Sequence, residues 1–288
     1  MSVAVRERGR SAIRGVGLGL RAEHEPAWLG GAAAGVPFAE VLADDFLASF
    51  GPARRRLLAL RETHPVVLHG VGMSLGSTDE PDRVYLARLA ELARELEPAW
   101  ISEHLAWTSV GGRHHHELLP LPFVEESVEV LARNVRIAQD VLGVRLLVEN
   151  SVRYLGFALP ELGEAEFVRA VLEAADCDLL LDVSNLFLDA RNHGFDPLRF
   201  LAALPPERVR QMHLGGYDEG GPLWVDAHAS AVADPVWALF EAAQARFPGT
   251  PTSIEWDREL PPFETLLGER ARAAAIADRV AAEWTHAA

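Results

Sequence analysis

Six short, mostly apolar segments of the sequence each end in a residue that can bind a metal ion. The segment before Glu149 is representative, because Leu146–Val148 is uncharged and strand-forming, as in a parallel strand buried on both faces. An ionised carboxylate at the end of such a strand is costly to bury unless a cation or strong donors meet it. The repeated pattern therefore predicts that six strands deliver ligands to one edge of a sheet. These ligands are His69, His104, Glu149, Asp182, His213 and Glu255.

Asp226 and His228 add two more donors to this set. They are two positions apart, which places both side chains on one side of an extended segment. The combined set holds imidazoles and carboxylates without thiolate, which suits iron, manganese or zinc, whereas magnesium prefers oxygen alone. Each residue by itself has an ordinary alternative, a hydrogen-bonded loop His or a helix-capping Asp, but the coincidence of all of them favours metal binding. The number of donors exceeds the needs of one ion, so we predict two metal ions, with three as the alternative.

The elements that position these residues alternate regularly along the chain. Strands are predicted at residues 13–20, 38–42, 66–69, 100–104, 145–149, 178–182, 209–213 and 252–256. Helices are predicted at residues 54–61, 81–96, 124–142, 162–175, 197–203, 235–246 and 263–282. No linker-like break interrupts the pattern, so we predict a flexible N-terminus at residues 1–12. A single α/β domain, a (β/α)8 TIM barrel, is then expected over residues 13–288. A doubly wound sheet is the alternative, although it would not need ligands from so many strands. Residues 184–194 and the triplet His114–His116 are assigned to loops, and the triplet is interpreted as solvated.

Composition excludes several other classes of protein. The net charge of −15 argues against nucleic acid or an anionic membrane as partner. The single Cys177 excludes an internal disulfide and a multi-cysteine metal site. No apolar run is long enough for a membrane span, and the Arg-rich start lacks the apolar region of a signal peptide. We therefore expect the protein in the reducing cytoplasm.

Several motifs together resemble a known family, the multinuclear non-haem iron-dependent oxidative enzymes, which were long a domain of unknown function. The matching segments occur in order between about residues 13 and 270, which makes the resemblance more specific than any one motif. They are His69–Gly76, Ser102–Trp107, Leu118–Pro122, Val148–Asn150, Leu181–Asn185, Asn192–Gly194, Met212–Gly216, Val225–His228 and Ile254–Trp256. The family has a TIM barrel like that of xylose isomerase, and its studied members modify cysteines of ribosomally made peptides, including methanobactin.

The resemblance implies a cofactor, a reaction and a site. It implies two iron ions, or three, with dioxygen as co-substrate, and the six strand-end ligands match the iron-pair ligands of the family. Glu149 is implied as the bridge, and catalysis is expected to depend on Glu149, His69, His104 and Asp182. Tyr217 departs from the family pattern, because many relatives have a second His after the Gly pair, and this bears on the third ion. The residues that match the loops completing the ligand set are Asn185, His193, Asp226 and His228.

The implied partners are a cysteine-containing precursor peptide and a small leader-peptide-recognition protein. Two other functions stay open at this point. One is a divalent-metal-dependent isomerase or endonuclease-like hydrolase of the same barrel type, which would use Lewis-acid chemistry. The absence of Lys from the sequence weighs against a sugar isomerase, and the acidic charge against an endonuclease. The other is a non-catalytic metal-binding module that serves a partner protein.

Overall fold

The structure is a computed structural model that describes residues 13–48, 51–158 and 162–287. The predicted flexible segment at residues 1–12 lies outside these residues. The strands are β1 Val16–Leu20, β2 Ala39–Leu42, β3 Val66–Gly70, β4 Ile101–His104, β5 Trp107–Val110, β6 Arg113–Leu119, β7 Leu146–Glu149, β8 Asp178–Asp182, β9 Val209–Gly215, β10 Tyr217–Asp218, β11 Val225–Asp226 and β12 Thr252–Glu255. The α-helices are α1 Glu25–Leu29, α2 Asp44–Leu47, α3 Pro52–Thr63, α4 Arg83–Leu96, α5 Glu125–Leu142, α6 Glu164–Ala175, α7 Val183–His193, α8 Pro197–Ala203, α9 Asp234–Arg246 and α10 Phe263–Ala287.

Eight parallel strands close into a barrel in the order β1-β12-β9-β8-β7-β4-β3-β2. These are the eight strands predicted from the sequence, and the predicted TIM barrel is confirmed. Two small antiparallel hairpins, β5–β6 and β10–β11, interrupt the alternation of strands and helices. In such a barrel the carboxyl ends of the strands lie at one face, where active sites are found. The six ligands predicted at strand ends therefore lie at this face of the barrel.

The chain divides into two compact units. The first contains residues 41–179, and the second contains residues 13–40 and 180–288. In the first unit, α4 buries Leu86, Leu89, Leu92 and Leu96 at helical spacing, and α5 packs against both α4 and α6. In the second unit, the ring of Phe38 lies where a Cβ on Gly17 would come within 2.6 Å of it, so the strand needs glycine there. That residues 13–288 form one domain stays a prediction.

The segment after Asp182 is a helix and not the loop that we predicted. The Asp182 carboxylate accepts a hydrogen bond from the backbone N–H of Asn185 at 2.7 Å and so caps the first turn of α7. Gly194, with φ of 76°, ends the helix in the left-handed conformation that glycine adopts without strain. Asp182, which we selected as a metal ligand, is thus also a helix cap. The loop prediction was wrong because it did not take this cap into account.

The loop assignment of the histidine triplet is also wrong. His114–His116 lie in β6, and Gly111 and Gly112 turn the chain between β5 and β6 with φ of 58° and 72°. Two consecutive positive-φ residues are typical of the tight turns whose twist matches that of a hairpin. The triplet is exposed to solvent as predicted, but on a regular strand. Among the described residues, the helices are all too short or too polar to cross a membrane.

Candidate metal centre

In the first unit, three predicted ligands meet because of strand register. His104 on β4 is level with Glu149 on β7, and His69 on β3 is level with Ser102, two residues before His104. Residues two apart on a strand point to the same face. One ligand atom from each of His69, His104 and Glu149 lies within 4.8 Å of the others. All three side chains are buried, so the charge on Glu149 is held away from bulk water.

The His69 ring has its tautomer set by Ser102. The hydroxyl of Ser102 donates to the carbonyl oxygen of Leu68 at 3.3 Å, so its oxygen accepts from Nδ1–H of His69 at 2.9 Å. In the neutral imidazole the other nitrogen then carries a lone pair. This Nε2 atom lies 3.3 Å from Oε2 of Glu149. A lone pair therefore faces a carboxylate oxygen.

The His104 ring is held in the same tautomer by a different acceptor. Its Nδ1 lies 3.2 Å from the carbonyl oxygen of Gly70, which can only accept, and 3.4 Å from Oε1 of Glu103. Its Nε2 lies 3.4 Å from the same Oε2 atom of Glu149. Imidazole ligands of metals commonly donate their second N–H to a carbonyl or carboxylate in this way.

These distances fit a shared cation. Ligand atoms about 2.1 Å from a metal and roughly at right angles to each other lie about 3 Å apart. When both rings are neutral, their lone pairs and the carboxylate oxygen repel each other, whereas a cation between them attracts all three. The first unit therefore contains three buried atoms that fit one metal ion of the nitrogen- and oxygen-binding class.

Glu103 and Asp44 support this cluster from behind. Glu103 accepts backbone N–H groups of Met73 and His104, both at 2.9 Å. Asp44 accepts from the N–H of Val71 at 3.0 Å, and burial, followed by the nearby charge of Glu103, raises its pKa. These bonds fix the loop after β3 against the end of β4. The sequence analysis did not select Glu103 or Asp44 as ligands.

In the second unit, three further predicted ligands lie together. Asp182, His213 and Glu255 each offer an atom within 4.8 Å of the others, and their side chains are buried. Nε2 of His213 lies 2.7 Å from Oε1 of Glu40 and 3.0 Å from the side-chain nitrogen of Gln211. Nδ1 of His213 lies 3.0 Å from Oε2 of Glu255. Here too an imidazole nitrogen faces a carboxylate oxygen.

Glu40 contacts this set, and the sequence analysis did not select it as a site residue. It is 2% exposed, and its second oxygen accepts a hydrogen bond from the side chain of Gln211. Glu40 therefore orients His213 through the nitrogen that does not face Glu255. The available signal was a carboxylate inside the apolar second strand, which has no other reason to be buried.

Asp226 and His228 come together at the second hairpin, although His228 has φ of 46° and is not in the extended conformation that we predicted. Nε2 of His228 lies 2.7 Å from Oδ1 of Asp226, and Nδ1 lies 3.7 Å from Oε2 of Glu255 and 3.3 Å from Oδ2 of Asp257. Burial lowers the pKa of His228, but the charges of Asp226 and Glu255 outweigh burial and raise it well above its ordinary value. Burial likewise raises the pKa of Asp257, yet the hydrogen bond from His228 and the charge of Arg21 lower it overall. The ring is thus surrounded by carboxylates.

The Gly215–Gly216 pair makes room for this arrangement. A Cβ on Gly215 would lie 2.3 Å from Cδ2 of His228, and one on Gly216 would lie 2.1 Å from the carbonyl oxygen of Ser230. Gly215 is level with Glu255 on the neighbouring strand. The His228 ring therefore occupies the position that a side chain at residue 215 would fill, and this brings it towards Glu255.

The remaining predicted ligands lie at opposite ends of α7. Asn185 is buried in the first turn, and His193 is the last residue, eight positions or about 12 Å further along the helix axis. Nε2 of His193 lies 3.8 Å from Oδ1 of Asp189. Within the part of the chain that is described, His193, Asp226 and His228 are not members of the groups of three or more ligands. Metal binding by Asn185 and by these three residues stays a prediction.

Three comparisons with known proteins bear on this site. A family model described as RiPP precursor modification enzyme MbnB/TglH/ChrH matches residues 15–278. RiPP denotes a ribosomally synthesised and post-translationally modified peptide. The match covers both sets of ligands and both hairpins.

Full-length relatives carry only a family number as their name. A UPF0276 protein of Rhizorhabdus wittichii is 47% identical and covers 88% of this chain and 91% of its own length. A UPF0276 protein of Caulobacter vibrioides is 44% identical with the same coverage of 88% and 91%. A more distant relative from Vibrio parahaemolyticus is 34% identical over 92% of this chain and 93% of its own.

Solved structures share the fold at low identity. Endonuclease IV from Thermus thermophilus superposes with a TM-score of 0.59 and 22% identity, covering 94% of this chain and 99% of its own. The 3-keto-D-glucoside 4-epimerase YcjR from E. coli superposes with a TM-score of 0.57 and 16% identity, covering 91% and 98%. These likenesses show a barrel of the xylose-isomerase type and nothing about the reaction.

Proposed function

Because the chain belongs to the MbnB/TglH/ChrH family of RiPP precursor modification enzymes, we propose that it oxidises cysteine residues of a precursor peptide with iron and dioxygen. The motif resemblance found in the sequence is confirmed by this membership. The metal, the oxidant and the reacting residue are the proposed parts.

The observation that carries the proposal is the repeated close contact between an imidazole nitrogen and a carboxylate oxygen. It occurs at His69 and His104 against Glu149, and again at His213 against Glu255. A nitrogen- and oxygen-donor site without thiolate suits non-haem iron. Two such sets in one chain support at least two ions, and Asn185, His193, Asp226 and His228 are proposed to complete the set or to hold a third. Glu149 as the bridging ligand stays a prediction.

Bound iron would supply the redox chemistry with dioxygen and a position where a substrate thiol binds as thiolate. The residues of the chain have other tasks. Ser102 and Gly70 accept from Nδ1–H of His69 and His104, and Glu40 lies against Nε2 of His213. The three rings are thereby kept in fixed orientations with their other nitrogen towards the site. Burial of the ligands excludes bulk water from the reacting groups.

The test uses iron-loaded enzyme, dioxygen and a candidate precursor peptide, with product mass followed by spectrometry. The peptide should change mass, and replacing the reacting cysteine by serine should abolish the change. A mass change that persists after every cysteine is replaced would contradict a thiolate anchor. Isomerase or hydrolase chemistry, which needs divalent ions but not dioxygen, would then be favoured.

Metal content provides an independent test. Protein produced without air in iron-rich medium should contain about two to three iron ions per chain, as the donor count indicates. One zinc ion per chain, without any iron-dependent activity, would contradict the proposal. Addition of a small leader-recognition protein is expected to increase turnover of a full-length precursor, and this partner stays a prediction.

A further inference from the structure

A groove of about 920 Å³ lies in the first unit, beside the β5–β6 hairpin. Its walls come from the loop after β3, the hairpin, the segment before α5 and the first turns of α5. Most of its lining is apolar, and its volume is near the upper end of the range for small-molecule sites. The apolar side chains that matter here are those of Trp107, Val110, Leu121 and Val130.

The walls of the groove are held in place by hydrogen bonds. The indole N–H of Trp107 donates to the carbonyl oxygen of Pro120 at 3.0 Å. The hydroxyl oxygen of Ser74 accepts from the N–H groups of Thr108 and Ser109 at 2.9 and 3.0 Å, which ties the hairpin to the loop after β3. A Cβ on Gly76 would lie 2.6 Å from Leu121, so glycine is needed where these two walls meet. The groove is therefore a built feature of the unit.

The groove begins close to a proposed iron ligand. Trp107 is three residues after His104, and the N–H of Gly76 donates to the carbonyl oxygen of Ala106 at 2.8 Å. Three residues of extended chain span at most about 10 Å. A peptide whose cysteine is held near His104 would therefore reach the groove within a few residues.

Charge selects among the peptides that could occupy the groove. The charged residues that line it within the described chain are Glu125 and Glu126, both exposed in the first turn of α5. An apolar floor with a carboxylate rim is complementary to an apolar side chain followed by a cation. It repels acidic peptides and phosphate groups.

We propose that this groove binds the stretch of the precursor peptide beside the reacting cysteine, and that it selects a large apolar residue next to Lys or Arg. The proposal rests on the proposed function, because it takes a cysteine peptide as the substrate. The apolar residue lies within about four positions of the cysteine, as the distance between His104 and the groove requires.

Binding of labelled peptides to the metal-free protein tests the groove without any turnover. The probes are four synthetic peptides in which a cysteine is followed, two to four positions later, by Leu-Lys, Leu-Glu, Ser-Lys or Ser-Glu. Fluorescence anisotropy should rank Leu-Lys as the tightest and Ser-Glu as the weakest. Equal binding of all four, or binding of none, would overturn the proposal.

Matched variants locate the binding. Val130→Gln should weaken the Leu peptides about tenfold relative to the Ser peptides, because one wall loses its apolar surface. Val141→Gln on the same helix, at a 37% exposed position outside the groove, should change nothing. Glu126→Lys should reverse the preference between Lys and Glu. Unchanged ranking in Val130→Gln and Glu126→Lys would show that the peptide binds elsewhere.

The outcome is separable from that of the proposed function. If the iron-loaded enzyme modifies the peptides by mass while the groove variants keep the wild-type ranking, the groove proposal fails and the function stands. If the variants shift the ranking as expected while no cysteine-dependent mass change occurs, the groove binds peptide and the oxidase proposal fails.

Discussion

Glu149→Gln should stabilise the metal-free protein while it weakens metal binding. In the metal-free state, Oε2 of Glu149 faces Nε2 of His69 at 3.3 Å and Nε2 of His104 at 3.4 Å. Both nitrogens carry lone pairs when the rings are neutral, because the protons are held on Nδ1. An amide NH₂ at the same position can donate one hydrogen bond to each ring. The substitution therefore replaces two repulsive contacts by two hydrogen bonds.

The magnitude follows from those two bonds. Each contributes about 0.5–1.5 kcal/mol, so the free energy of unfolding should rise by about 2 kcal/mol. For a protein of this size, 1 kcal/mol shifts the Tm by about 2–4 °C, which predicts a rise of roughly 6 °C. A neutral amide is a poor ligand, so affinity for divalent iron should fall by more than the roughly 100-fold that loss of a supporting hydrogen bond can cost.

The assay is thermal unfolding of chelator-treated protein at mildly alkaline pH, together with iron titration of the same samples. Glu103→Gln is the matched control. Glu103 lies on the neighbouring strand β4, one position before His104, the residue that is level with Glu149. Its carboxylate accepts two backbone N–H groups, so an amide there must face at least one of them with its own NH₂. Glu103→Gln should lower the Tm, although relief of the repulsion from Asp44 offsets part of the cost.

The same Glu→Gln substitution should therefore raise the Tm at residue 149 and lower it at residue 103. If metal-free Glu149→Gln unfolds at a lower temperature than the wild type, the rings carry protons on both nitrogens and form ion pairs with Glu149. The interpretation that Nε2 of His69 and Nε2 of His104 carry lone pairs that can bind a cation would then be wrong.

Five further substitutions are expected to distinguish residues that position the metal ligands from residues that do not affect metal binding. Asn192→Ala removes both side-chain hydrogen bonds to the backbone of Trp224, at 2.9 and 3.0 Å; the loosened β10–β11 hairpin should reduce iron bound per chain in a chelator competition, with little change in Tm. Gln139→Ala removes a similar pair of bonds, to the backbone of Ala175 and of Leu146 at the start of β7. Because the proposed ligands lie at the other end of the strands, it should lower the Tm without changing metal content. Gly215→Ala should displace the His228 ring, whose Cδ2 lies 2.3 Å from the added methyl group. The folded variant should then bind fewer iron ions per chain. His114→Ala and His115→Ala should leave metal content unchanged; loss of iron in either would show that the exposed triplet binds metal.

The sequence by itself determined the barrel and the identity of most of the candidate ligands. The reason is that each of these strands is a short apolar run that ends in a polar residue whose burial needs a partner. Both the strand and the candidate ligand can therefore be recognised from a few consecutive residues. The end of β7 at Glu149 is an example, since the change from Val148 to a carboxylate marks the end of the strand and the ligand together. The motifs were also specific enough to identify the family that the comparison confirms.

The hairpins and the helix after Asp182 were not visible in the same way. Residues 111–116 read as a polar loop because His and Arg have no strong preference for strands, and the turn at Gly111–Gly112 was taken for loop composition. Residues 183–194 read as a loop because the polar residues Ser184 and Asn185 follow the strand directly. The hairpin forms because β5 pairs with β6, which outweighs the weak local preference. The helix forms because Asp182 caps its first turn.

Only the tertiary structure decided which atoms of the ligands face one another. The role of Glu40 as the residue that orients His213 depends on two strands that are about 170 residues apart in sequence, and no local pattern encodes that distance. The same holds for the tautomers, because Ser102 sets the His69 ring from the neighbouring strand. The residue types decide which side chains can bind a metal, whereas the strand register decides which nitrogen of each imidazole faces the other ligands.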